Sequence, residues 1–96
     1  MFVWVMYDIT SQKRLQKTAR LCERTGLKRI QKSVFLGKLT REQIVSFREN
    51  ALRWLLPKED KLVIVPISRD DLADRVELGL DCGFDSLLNK QAVMFV

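Results

Sequence analysis

Alternating strand and helix signals predict an α+β fold, a ferredoxin-like βαββαβ sandwich whose antiparallel sheet carries two helices on one face, plus a C-terminal strand. Three observations carry this expectation. Residues 2–7 and 61–67 are short apolar runs of strand character, and two amphipathic segments open with capping signals at Ser11 and Thr40. Between those segments, residues 27–39 read as a strand region interrupted near its middle.

The first strand, from Phe2 to Tyr7, is β-branched and aromatic. Phe2, Trp4 and Met6 alternate with Val3, Val5 and Tyr7, so both faces are apolar and both need cover. Thr10 and Ser11 offer an N-cap to a helix that runs to Gly26, where the absent side chain suits a helix end. The region Leu27 to Leu39 is extended, with a break near Lys32 and Ser33. Thr40 and Gln43 form a capping box, after which Ile44, Phe47, Ala51, Trp54 and Leu55 recur at helical spacing up to Pro57. Lys61 to Ile67 is a second central strand, Arg69 to Gly79 a short helical turn with a connection, and Gln91 to Val96 a short terminal strand. Two helices cannot cover both faces of such a sheet. The bare face predicts a homodimer through a two-fold contact, sheet against sheet or through the C-terminal strand. The competing arrangement folds the tail back over its own sheet.

Ninety-six residues, 47% apolar and 30% charged, make one folded domain over residues 1–96. The longest apolar run, Met1 to Tyr7, is too short to span a bilayer and lacks the flanks of a secretory signal, which predicts a cytoplasmic protein without a membrane partner. Cys22 and Cys82 are too few for a disulfide framework and lack the neighbours of a zinc site, so both read as free thiols. The chain has no histidine, which removes imidazole general bases, Ser-His and Cys-His nucleophiles and His-ligated metals. Phosphate-binding loops, dinucleotide fingerprints, paired-cysteine motifs and calcium loops are also absent.

Charge is distributed unevenly. Residues 1–58 hold 13 Lys or Arg against 4 acids, and residues 59–96 hold 4 against 8, which together give the net +5. A basic half of this kind points to a polyanion, because clustered cations displace counterions from phosphates. At about 100° per residue, Lys13, Lys17, Arg20 and Arg24 fall on one stripe of the first helix, opposite Leu15, Ala19 and Cys22. Like charges stacked this way repel, so their alignment favours phosphate contact over simple solvation. Arg14 flanks the stripe, and Arg29, Lys32 and Lys38, with Arg41, Arg48 and Arg53, extend the basic surface. No aromatic is interleaved with these cations in the sequence, which favours a duplex backbone over splayed bases. Asp8 ends the first strand directly before a loop and a capped helix. It either caps or turns the chain, or, paired with its copy in a dimer, holds a divalent ion such as Mg²⁺ for phosphodiester hydrolysis.

Val5 to Ile9 reads VMYDI, a basic helix follows, and Gly26 to Gly37 reads GLKRIQKSVFLG. This combination resembles the small CRISPR-associated endonuclease family of the spacer-adaptation complex, with Tyr7, Asp8, Gly26, Arg29, Gln31, Ser33, Val34, Phe35 and Gly37 filling the pattern over residues 1 to about 67. The resemblance implies a ferredoxin-like homodimer that bridges integrase subunits and holds duplex DNA awaiting insertion into the repeat array. It also implies a divalent metal at paired copies of Asp8 and endonuclease activity on RNA or DNA. By position, Asp8 becomes the catalytic metal ligand, Ser33 and Phe35 shape the dimer and active cleft, and Arg14, Lys17 and Arg29 belong to the backbone-binding surface. Where many relatives place a further acid or Asn after the Tyr-Asp pair, Thr10, Ser11 and Gln12 stand here. Two other functions compete: a toxin-type mRNA endoribonuclease without an integration role, and a small-molecule sensor on the same fold.

Overall fold

A computed structural model of the chain describes residues 1–84 and 87. The elements are β1 (Phe2–Asp8), α1 (Gln12–Arg24), β2 (Lys28–Gln31), β3 (Val34–Lys38), α2 (Arg41–Ala51), β4 (Lys61–Ile67) and α3 (Arg69–Ala73). One antiparallel sheet has the order β2-β3-β1-β4. The strand expected at residues 91–96 lies outside the described residues.

β1 sits between two partners because it is apolar on both faces. Its register pairs Val5 with Phe35 on one side and with Ile64 on the other. On one face Val3, Val5, Tyr7 and Phe35 pack against Leu21 and Cys22 of α1 and Phe47 and Ala51 of α2. Burying each large side chain there contributes roughly 1.5 to 3 kcal/mol before entropy is counted. Both helices therefore share one face, as the amphipathic patterns require. The second face departs from expectation: Leu72 of α3 and Phe84 close over Phe2 and Leu36, with Trp4 edge-on to Phe84 at 5.6 Å. Among the described residues this cover stops partway along the sheet. Val63 and Val65 of β4 remain 47% and 37% exposed.

Local chemistry sets the element ends. Ser11 caps α1 by accepting the Arg14 N–H, and Gly26, at φ +89°, turns the chain out of the helix in a conformation that side chains disfavour. The capping box at Thr40 is formed in both directions. α2 ends at Ala51, short of Pro57, because the chain tightens into turns in which Trp54 and Leu55 both donate to the Ala51 carbonyl. Trp54 and Leu55 still reach the core from those turns. Gly37 is needed for space: a Cβ there would stand 2.8 Å from a Leu27 methyl and 3.3 Å from the Leu27 Cα.

An ion pair ties α1 to the entrance of β4. Arg14 Nε donates to Asp60 Oδ2 at 2.8 Å and its Nη2 to Oδ1 at 3.2 Å, while Asp60 also accepts the Leu56 N–H at 2.9 Å. The Arg14 hydrogen bond, assisted by the Leu56 N–H, holds the Asp60 carboxyl below its usual value. A depressed folded-state pKa gives stability that is complete above the unfolded value of about 4 and is lost as pH falls through the folded value. In urea titrations, Asp60→Asn is expected to lower the midpoint near neutrality and to flatten the fall of the wild-type midpoint below about pH 4. A mutant that retains the full acid slope would assign that slope to other carboxylates.

Candidate functional site

The buried face of α1 is set by Thr18, Leu21 and Cys22, which leaves Lys13, Lys17, Arg20 and Arg24 exposed on the opposite face. None of these four forms an ion pair among the described residues. The single acid of α1, Glu23, instead reaches Arg29 at 3.7 Å. Burial pushes the Cys22 thiol up to about 12, so it is an inert core group.

The fold adds residues from a distant segment to this stripe. Lys17, Arg20 and Arg24 line a cleft together with Asn50, Arg53 and Trp54, and no acid lines it. The Trp54 indole is anchored: its Nε1–H donates to Thr18 Oγ1 at 3.0 Å, and Thr18, fully buried, donates to the Arg14 carbonyl at 2.9 Å. The Lys17 ammonium stands 6.0 Å from the indole centroid. Helical spacing with Phe47 and Ala51 alone marks Trp54 as a core residue. Its half-buried ring in fact both packs on the core and lines the cleft.

Of the other cations singled out in the sequence, Arg53 joins the stripe at this cleft, whereas Arg14, Arg29, Lys32 and Lys38 do not line it. Arg14 is engaged by Asp60 and, at 3.7 Å, by Glu59, so its guanidinium serves the fold and is not available as an outward phosphate contact. Arg29 lies beside Glu23 with its guanidinium 5.1 Å from the Phe35 ring centroid. Lys32 is exposed in the β2–β3 turn, and Lys38 lies over Phe2, at 5.1 Å, on the sheet face away from α1 and α2.

Asp8 is exposed at the last position of β1, in register with Lys61 of β4. Strand alternation puts it on the same sheet face as Met6, Val63 and Val65, opposite the helices. Ser33 is at this end too, its carbonyl accepting the Tyr7 N–H at 3.1 Å. Phe35 is not: it is fully buried under the helices and stacked on Tyr7 at 6.3 Å, so it supports the strand from the core and forms no wall of an open cleft. Among the described residues no group of three Asp, Glu or Cys side chains is placed to hold a metal ion. One chain therefore contributes a single carboxylate here. The stripe and Asp8 lie on different sides of the sheet, and Asp60, which no local sequence pattern marks, orders the connection between α2 and β4.

A family model described as CRISPR associated protein Cas2 matches residues 1–75. A protein of Korarchaeum cryptofilum named CRISPR-associated endoribonuclease Cas2 is 35% identical over 77 residues, covering 80% of this chain and 83% of that protein. The crystal structure of Streptococcus pyogenes Cas2 superposes with a TM-score of 0.73 at 27% identity, covering 82% of this chain and all of that one. A hypothetical protein of Thermus thermophilus gives 0.71 at 34% identity, covering 82% and 90%. These likenesses agree with the α+β, ferredoxin-like architecture described above.

The Tyr7 hydroxyl is buried beside the Arg29 guanidinium; burial raises its pKa, and Arg29 opposes that shift by its charge and by hydrogen bonding.

Proposed function

Because the chain belongs to the family of CRISPR associated protein Cas2, we propose that it acts in spacer adaptation as a homodimer. In this reading it binds duplex DNA on the cations of α1 and presents it to an integrase subunit. Magnesium-dependent phosphodiester cleavage at Asp8 is a second activity. The observation that carries the binding reading is the run of Lys13, Lys17, Arg20 and Arg24, exposed on one helix face and without an acidic partner among the described residues. Four such charges repel within the free protein, and a phosphate backbone relieves that repulsion while releasing counterions. Such contacts hold a duplex without reading its sequence.

The unfinished sheet supports the dimer. Among the described residues β4 is an edge strand with Val63 and Val65 exposed, and the segment after α3 exposes Val76, Leu78 and Leu80 at alternate positions. A second copy covers both sets and removes an open strand edge. Because Asp8 shares the face of Met6, Val63 and Val65, the same contact brings the second Asp8 towards the first. Two carboxylates, with water and a substrate phosphate, are a donor set that magnesium accepts, whereas one chain alone is half a site. A bound ion supplies a water activated for hydrolysis. Lys61, across from Asp8, and Lys32 in the turn give each protomer cations at this end to hold the scissile strand.

RNA is a second substrate in this reading, favoured by the endoribonuclease name of the Korarchaeum relative. Two measurements separate binding from cleavage. The salt dependence of duplex affinity is expected to be steep, and Lys17→Ala, Arg20→Ala and Arg24→Ala combined should lower the log–log slope by about 2 to 3. An unchanged slope removes the α1 surface from the reading. Asp8→Ala is expected to abolish magnesium-dependent cleavage of RNA and DNA while leaving duplex affinity within about twofold, since Asp8 lies apart from the stripe. Persistent cleavage by that variant would exclude Asp8 as the catalytic ligand.

A further inference from the structure

We propose that the cleft between α1 and the turn after α2 holds one unpaired nucleotide, its phosphate among Arg20, Arg24 and Arg53 and its base against the Trp54 indole. This rests on the reading that the α1 cations bind nucleic acid, and it adds a class of ligand that a duplex-binding stripe does not explain.

The cleft differs from the rest of the stripe in three respects. It is concave and lined by four cations with no acid, so its positive field is focused and uncompensated. It has an aromatic wall whose polar edge is already satisfied: with Nε1–H bonded to Thr18 at 3.0 Å, the indole is fixed in orientation before any ligand arrives. A platform held in place loses little side-chain entropy on stacking. It also includes Asn50, whose Nδ2 donates to the Ser46 carbonyl at 2.9 Å, leaving its amide oxygen to accept from the amino edge of a base.

A regular duplex cannot use these features, because its base faces are buried in its own stack. An aromatic ring among cations matches a nucleotide outside a helix, where the π-face and the phosphate are both available. The present neighbour of the ring is a weak one. Lys17 stands 6.0 Å from the centroid, at the outer limit of a cation–π contact, and is free to swing to a phosphate when a base takes its place. The same chemistry is offered by the single-stranded end of a longer nucleic acid and by a free nucleotide.

The chain has two tryptophans, so a Trp4→Phe background leaves Trp54 as the only indole reporter. A duplex with a short single-stranded overhang is expected to quench Trp54 emission and to bind about tenfold more tightly than the same duplex with blunt ends. Arg53→Ala and Trp54→Leu should each bring that ratio close to one; Arg53 is exposed, so its variant keeps the test valid if Trp54→Leu fails to fold. Quenching by the overhang alone assigns the cleft to strand ends. Quenching by a nucleoside monophosphate but not by inorganic phosphate assigns it to free nucleotides. Equal affinity for blunt and overhanging duplexes, with Trp54 emission unchanged by either ligand, overturns the inference; if blunt-duplex binding then keeps its steep salt slope, the α1 reading stands without it, and if that slope is absent both fall.

Discussion

β1 is apolar on both faces and hydrogen-bonded along both edges, and the rest of the architecture follows from covering it. α1 and α2 close one face with Leu21, Cys22, Phe47 and Ala51. On the other face, Leu72 and Phe84 seal the end at Phe2 and Leu36. The end at Met6 and Asp8 keeps only part of that cover, beside exposed Val63 and Val65. An incomplete apolar face next to an edge strand is unfavourable in an isolated chain, and the carboxylate lies beside it. The position of Asp8 and the incentive to pair with another copy thus share one cause.

The two candidate chemistries are separated by the thickness of the sheet. Cations of α1 point away from the core on the helix side, whereas Asp8 belongs to the opposite face. In the proposed reading, binding and cleavage then draw on different residues and need not rise or fall together. The Arg14–Asp60 pair matters to both, because it joins the first turn of α1 to the start of β4, where Lys61 faces Asp8. Arg14 is in this sense a positioning residue.

Local features were legible in the sequence. The caps at Ser11 and Thr40, the stripe on α1 and the interruption at residues 32–33 depend on neighbours a few positions apart, and all are present in the fold. What was missed depends on residues far apart in the chain. Trp54 fits the apolar spacing of α2, so nothing local distinguishes it from core, yet it meets Lys17, Arg20 and Arg24 across the fold. Arg14 looked like one more outward cation because its partner is 46 residues away. Leu72 stands among Asp70, Asp71 and Asp74, a context that reads as solvated, and it nevertheless seals the second face. The pattern that linked Phe35 to an active cleft contains no information on depth, and burial makes that residue part of the core.

Charge in this molecule is sorted by where its partner lies. Arg14 has Asp60 and Glu59, Arg29 has Glu23 and Arg75 has Glu77, whereas Lys13, Lys17, Arg20 and Arg24 have no such partner among the described residues. Each like-charge neighbour on the stripe costs a few tenths of a kcal/mol in the free helix. The helix tolerates this because its caps and its packing on the core are independent of those charges. A polyanion that binds the folded stripe but finds no such alignment in the unfolded chain removes the repulsion and adds its own binding free energy. In the proposed reading, folding and binding are therefore linked through one helix face: the residues that make α1 less stable alone are those that would make its complex with a phosphate backbone more stable.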